Sequence, residues 1–287
     1  MIIGKVILKY APFSFYHRVR AYYRRFRKSF HRPLNEKEFR NILVQKLNIK
    51  MGDVLFIHSS VDRLNINFTP FRLLSILIET VGEDGSLLFP AWHFTERAED
   101  HLQKNRIFDI RKSPSALGLI SELARRHPKA IRSLHPTTSI VAIGKHAELL
   151  LRDHGKSIYP CDEKSPFYKM MAFNAKIIGL GVTTEFLSFI HCPEDVLKEK
   201  FPFKTRTNNV FTVKIRDYDG NLHELNTLVA DKSIAHRNIP KFIKKYISSA
   251  SSSEFSIRGN SFFLVESALF YKEMVSCSEK GVTVYSN

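Results

Sequence analysis

Three short apolar runs, each fenced by glycine or by helix signals, constrain this chain most. Val54-Leu55-Phe56-Ile57 follows Gly52-Asp53, Ser86-Leu87-Leu88-Phe89 follows Gly82 and Gly85, and Ala175 to Gly181 forms a third run. Runs of this length without polar alternation read as strands covered on both faces. Between the first two, Thr69 is a helix cap, Pro70 suits the first helical position, and Phe71, Leu74, Leu77 and Ile78 recur at helical spacing. The unit is strand, helix, strand. Upstream, Asn35 with Glu38 three residues later predicts a capping box on a helix through Leu47, with Phe39, Ile42, Leu43 and Leu47 on its apolar face. Downstream the pattern predicts a helix over 115–126, a strand over 139–143 and a helix over 145–151. Gly179 and Gly181 suit a strand end that a ligand or another backbone approaches closely. A hairpin over 210–225 turns at Asp217-Tyr218-Asp219-Gly220-Asn221. With 287 residues, no internal repeat and no convincing linker, the expectation is a layered α/β/α domain whose sheet is mostly parallel or mixed, plus the antiparallel hairpin.

Charge divides the chain in two. Of 44 Lys and Arg against 28 acids, nine Lys or Arg and no acid fall in residues 1–35, so the rest of the chain carries only +7 of the total +16. Phe15, Tyr16, Val19, Tyr22, Tyr23, Phe26 and Phe30 recur every three to four residues, with Arg18, Arg20, Arg24, Arg25, Arg27 and Lys28 largely between them. That is a basic amphipathic helix over 15–30, fitted to the body, to another subunit of a homo-oligomer, or to an anionic membrane as a peripheral contact. Confinement of the aromatics to one stripe and the absence of a recognised motif speak against nucleic acid. The division is therefore a basic extension over 1–34 and a domain over 35–287. Cys161, Cys192 and Cys277 form neither a disulfide framework nor a zinc pattern, which suits a reducing cytoplasm, and no cluster of metal ligands suggests a metal. The apolar stretch from Leu73 to Ile78 is too short to span a bilayer.

Two segments offer anion sites. His58-Ser59-Ser60 ends the first strand, where hydroxyls and successive N–H groups can hold a phosphate, although serines there also serve plain turns. Ser113-Pro114-Ser115-Ala116-Leu117-Gly118 precedes a helix, where the same hydroxyls can cap or bind. The sharper chemical segment is Phe189-Ile190-His191-Cys192-Pro193-Glu194-Asp195. Pro193 predicts a helix start, with Cys192 near the cap, His191 just ahead and both acids in the first turn. There His191 tends to stay neutral and able to accept a proton, with Glu194 orienting it, while the bland alternative is that both acids only complement the helix dipole. Adjacent side chains diverge, so Cys192 is a poor candidate nucleophile.

The ordered segments GDVLFIHSSV (52–61), GSLLFPAW (85–92), the block over 108–151 containing Arg132-Ser133, His135-Pro136 and Ser139, SPFYKMMAFNAKIIGLGV (165–182) and FIHCPED (189–195) resemble the aminoglycoside 3-N-acetyltransferases and their relatives. The resemblance covers about residues 35–200. It implies acetyl-CoA as co-substrate, Ser59, Ser60 and Val61 (beside His58) approaching the CoA phosphates, and Ser115 with the Leu117-Gly118 helix start nearby. The family's H-x-x-E motif falls on His191 and Glu194 as the catalytic pair, and Glu122, in the matching helix after the Ser-Pro-Ser segment, is an acidic partner left outside it.

The resemblance implies N-acetylation of an amino sugar but leaves the acceptor open. Drug-modifying members are, as a family expectation, rich in acid around the acceptor, whereas this chain is basic, and Tyr159-Pro160-Cys161-Asp162-Glu163-Lys164-Ser165 stands where resistance members are usually glycine-rich. Those departures favour a nucleotide-linked amino hexose, such as a 3-amino-deoxyhexose for surface polysaccharide, because an anionic acceptor suits a cationic body. A free aminoglycoside is the alternative. A non-catalytic basic protein that binds membrane or nucleic acid is the reading of a different class.

Overall fold

The computed structural model describes residues 30–286, so the amphipathic helix expected over 15–30 lies almost wholly outside the described residues. Helix α1 (Glu36–Asn41) carries the reciprocal box: Asn35 Oδ1 accepts the Glu38 N–H at 2.9 Å, and Glu38 Oε2 accepts the Asn35 N–H at 3.1 Å. It passes into a wider π turn over Ile42–Lys46, which keeps Ile42, Leu43 and Leu47 buried.

Seven strands make the main sheet. β1 (Val54–Ser59), β2 (Ser86–Pro90), β4 (Ile131–Arg132), β5 (Ile140–Gly144), β6 (Lys176–Leu180), β9 (Ser252–Ile257) and β10 (Asn260–Glu266) lie in the order β4-β5-β2-β1-β6-β10-β9. Only the central trio β2-β1-β6 is parallel, and antiparallel pairs close both sides. The sheet is therefore mixed. The expected hairpin is present as β7 (Phe211–Arg216) and β8 (Leu222–Thr227), and β3 (Phe108–Asp109) adds to it in parallel as a small second sheet.

Alternation along β1 sorts the core into two layers. Val54 and Phe56 face one side, with α5 (Ala147–Leu151), α6 (Pro166–Lys169), α7 (His191–Leu197), α8 (Ile239–Tyr246) and α9 (Ser267–Glu279) contributing to that cluster. Leu55 and Ile57 face the other, beneath α1, α2 (Pro70–Val81) and α4 (Leu119–Arg125), while the short α3 (Ala98–Leu102) packs through Leu102 on Val213 of the small sheet. This is the expected α/β/α arrangement, because a sheet apolar on both faces has to be covered twice.

Two helix expectations need correction. In α2, Thr69 caps as read, but Leu73, Leu74, Ile76, Leu77 and Val81 carry the buried face while Phe71, in the first turn, is 69% exposed. The helix expected from Ser115 begins instead at Leu119. Gly118 sits at φ 100°, and the backbone ahead of it is held away from the helix: Ala116 N–H donates to Trp92 O at 2.7 Å, and Ser115 N–H to the Glu122 carboxylate at 2.8 Å.

Gly179, expected to admit a ligand or backbone, admits a side chain. It lies opposite His58 in the β1–β6 ladder, and a Cβ built there would come within 2.1 Å of the Phe263 ring. Gly179→Ala therefore lowers stability by about 1–3 kcal/mol through overpacking, seen as a lower denaturant midpoint with an unchanged slope.

Candidate active site

The carboxyl ends of the three parallel strands open into one cavity of about 880 Å³. His58 and Ser59 come from the end of β1, Pro90 and Trp92 from the end of β2, and Val182 from just after β6. This is where an open α/β sheet offers a ligand site, since loops diverge beyond the strand ends. The chain then runs through two short 3₁₀ turns, Thr184–Phe186 and Ser188–Ile190, into α7, which brings His191 to the same wall.

Helix α7 starts two residues earlier than Pro193 suggests. His191 is its first residue, because the preceding 3₁₀ turn runs straight into it, and Pro193 is tolerated inside the first turn, where no helical N–H is needed. The buried Cys192 and Ile190 anchor this turn in the core. Burial also pushes the Cys192 thiol well above its ordinary range, which leaves no thiolate nucleophile.

His191 Nδ1 lies 2.7 Å from Glu194 Oε2, one helical turn on, and the Glu194 side chain is fully buried. A carboxylate on Nδ1 assigns the N–H to that nitrogen and leaves the Nε2 lone pair for a proton. The other Glu194 oxygen accepts the Tyr285 hydroxyl at 2.7 Å. Glu194 also borders a second cavity of about 520 Å³, lined by Tyr159, Lys198 and Phe203 among others, so the pair sits between two spaces. The expectation that both acids attend the helix start holds only for Glu194. Asp195 turns away, accepting Arg206 Nε at 2.6 Å, Arg206 Nη2 at 2.7 Å and the Cys161 N–H at 2.8 Å.

Of the other sequence-nominated residues, His58, Ser59 and Leu117 line the large cavity with His191, whereas Ser60, Val61, Ser115 and Gly118 do not line it. Ser60 N–H is spent on Leu180 O at 2.9 Å, Val61 opens a 3₁₀ turn, and Ser115 Oγ accepts the Leu117 N–H at 3.3 Å. Gly118 is adjacent all the same, since a Cβ there would lie 3.6 Å from Ser59 O, so the two predicted loops do meet. Burial drives His58 down to about 3, which makes it a neutral wall residue and no cationic phosphate ligand. Glu122 is a structural clamp: it accepts Ser115 N–H and pairs with Arg125 and Arg126.

The block containing Arg132, Ser133 and Ser139 is a buried polar tie behind the wall. The Arg132 guanidinium donates to Ala91 O, Ser113 O and Ser139 Oγ, joining the loop after β2 to the Ser113–Ser115 loop. The linker over 159–165 is no open glycine-like loop, because Cys161, Asp162 and Ser165 are buried and its backbone is pinned to Asp195. Residues that sequence reasoning missed include the cavity cations Arg97, Lys232 and Arg237, and Tyr285; no local motif marks any of them. Among the described residues, no group of three or more His, Cys, Asp or Glu is arranged to hold a metal, and no helix is long and apolar enough to cross a membrane.

The family model described as aminoglycoside 3-N-acetyltransferase matches residues 56–276, which include every cavity-lining residue named above and the His191–Glu194 pair. The chain belongs to the aminoglycoside 3-N-acetyltransferase family. This is an acyltransferase family. Similar members include aminoglycoside N(3)-acetyltransferase III of Pseudomonas aeruginosa, 26% identical over 201 residues that make up 63% of this chain and 74% of that protein. Aminoglycoside N(3)-acetyltransferase VIII of Streptomyces fradiae is 25% identical over 176 residues, 53% of this chain and 57% of that one. In fold, the chain superposes on the crystal structure of aminoglycoside acetyltransferase AAC(3)-Xa with a TM-score of 0.75 at 19% identity, covering 93% of this chain and 99% of the other. It also superposes on AAC-IIIb in its binary complex with CoASH, with a TM-score of 0.69 at 22% identity over 85% of this chain and 96% of the other.

Proposed function

We propose that this chain is an acetyl-CoA-dependent N-acetyltransferase acting on an amine of an aminoglycoside-type amino sugar, with His191 as general base and Glu194 as the carboxylate that orients it. The observation that carries the reading is a histidine on the cavity wall whose Nδ1 is held by a fully buried carboxylate, with Nε2 left for a proton. An alkyl amine near neutral pH is largely protonated and must first lose that proton to solvent; the neutral amine then sheds a second proton as nitrogen bonds the acyl carbon, and a base must take that one. The thioester supplies an activated acyl group and a thiol leaving group. His191 Nε2 takes the amine proton as the C–N bond forms, Glu194 stabilises the imidazolium, and the proton passes to the departing sulfur as C–S breaks. No metal enters this scheme.

A cofactor carrying phosphates fits this wall. Arg97, Lys232 and Arg237 supply positive charge, and Ser59 and Leu117 border the same space as His191, so the thioester and the base can meet there. Ser60, Val61, Ser115 and Gly118 then act through backbone placement behind that wall.

For the acceptor, the relatives named above favour the aminoglycoside alternative over the nucleotide-linked amino hexose. Glu185 and Asp231 on the cavity wall offer carboxylates to an ammonium. The nucleotide-linked sugar retains one observation in its favour, three cations against two acids on that wall. A thiol-release assay with acetyl-CoA over a panel of aminoglycosides and nucleotide-linked amino sugars separates them. The expected result is release with an aminoglycoside. Release with nucleotide-linked sugars alone overturns the acceptor, and no release together with no CoA binding overturns the enzyme reading.

A further inference from the structure

The geometry points to Tyr285 as a positioning residue of the acetyl-transfer reaction, a third member of a Tyr285–Glu194–His191 chain supplied by the carboxyl-terminal segment. The inference rests on the reading of His191 as the base. It concerns a residue beyond position 276, where the family match ends.

The Tyr285 hydroxyl donates to Glu194 Oε1 at 2.7 Å while Oε2 meets His191 Nδ1 at 2.7 Å, so both oxygens of a fully buried carboxylate have one partner each. With both oxygens engaged, the carboxylate cannot rotate without breaking one charge-assisted bond, and its direction sets the direction of the imidazole. Burial and the neighbouring carboxylate raise the phenol far above its ordinary range, which keeps it a proton donor throughout the working pH range.

The tyrosine is itself held. Its ring stacks on Phe203 with centroids 4.4 Å apart and planes 13° from parallel. The segment that carries it is tied by Asn238 N–H to Val284 O at 2.9 Å, Thr283 N–H to Ser286 Oγ at 2.9 Å, and Tyr285 N–H to Thr283 Oγ1 at 3.2 Å. Asn238 lines the large cavity, so the same segment braces both the histidine–glutamate pair and the wall beside it. Glu194 borders the second cavity, so without the hydroxyl a water from that side can take the place of the fixed donor on Oε1 and leave the carboxylate free to turn.

Tyr285→Phe keeps the ring stack and removes only the donor. In thiol-release kinetics on the full chain, it is expected to lower kcat about tenfold with KM for acetyl-CoA and for the amine nearly unchanged. In a Glu194→Ala background the same substitution should change kcat by less than about twofold, since the group it acts through is gone. A readout that needs no turnover is the low-field ring N–H proton of His191 in NMR spectra. It should broaden and move upfield in Tyr285→Phe, because a carboxylate free to turn holds the ring N–H less steadily. A Tyr285→Phe protein with kcat within about twofold of the parent and an unmoved ring proton overturns the proposal, as do equal losses in the parent and Glu194→Ala backgrounds. If the parent acetylates no amine, the functional reading fails, and the ring proton still decides whether Tyr285 holds the pair.

Discussion

Replacing His191 by alanine is expected to lower kcat by about 10²–10⁴, a loss of roughly 3–5 kcal/mol of transition-state stabilisation, with CoA affinity nearly intact. The division follows from where the ring stands. Its Nδ1 is committed to Glu194, so its contribution to a bound acceptor is through Nε2 at the moment the amine loses its proton. Cations elsewhere on the cavity wall, Arg97, Lys232 and Arg237, are the groups available to an anionic cofactor. Calorimetric titration with CoA beside steady-state kinetics checks both halves. Weakened CoA binding with normal turnover would place His191 among the binding groups and remove it as the base.

Arg206→Ala should be the most destabilising single substitution in the site. The Asp195 side chain is fully buried, both of its oxygens accept from the guanidinium, and one also accepts the Cys161 N–H. Truncating Arg206 leaves that carboxylate buried with one backbone donor, a situation that costs about 3–5 kcal/mol and lowers the melting temperature of a domain this size by about 10 °C. Asp195→Leu combined with Arg206→Met removes both charges and should recover much of the loss, because an apolar pair of similar volume avoids the desolvation of two ions. A single Arg206→Ala protein as stable as the parent in thermal and denaturant unfolding would show that the ion pair contributes nothing net. The pair also fixes the residue that follows Glu194, so activity should fall along with stability in Arg206→Ala and return in part with the double substitution.

The elements that were legible in the sequence are those whose signals are local. The Asn35–Glu38 box, the Thr69-Pro70 start, the uninterrupted β1 and β2 runs and the Asp217–Asn221 turn each occupy a few consecutive residues, and each appears where it was read. The misplaced boundaries have two causes. The helix read from Ser115 starts at Leu119 because Glu122 and Trp92 take the N–H groups of Ser115 and Ala116. Helix α7 begins at His191 because the adjacent 3₁₀ turn over Ser188–Ile190 feeds it from behind, a continuation that the Pro193 signal does not mark.

The same division runs through the site. His191 and Glu194 were readable together because Pro193 marks a helix start with the acid in its first turn and the histidine beside it, and because the family's H-x-x-E motif falls on both; the structure carries the helix back to His191. Asp195 was assigned to the helix start, yet its partner is Arg206, and nothing in FIHCPED points to an arginine in the following loop. Tyr285 lies 91 residues from Glu194 and reaches it only after the C-terminal segment returns to α7.

The layered α/β/α class, the strand ends that bear the cavity and the adjacency of His191 to Glu194 are written in local signals, because periodicity and caps act within a few residues. Which loop residues line that cavity, that His58 is neutral there, and which distant groups hold the two acids of α7 emerge from packing alone. Each depends on burial or on a hydrogen bond between segments far apart in the chain, and both exist only once the layers have packed.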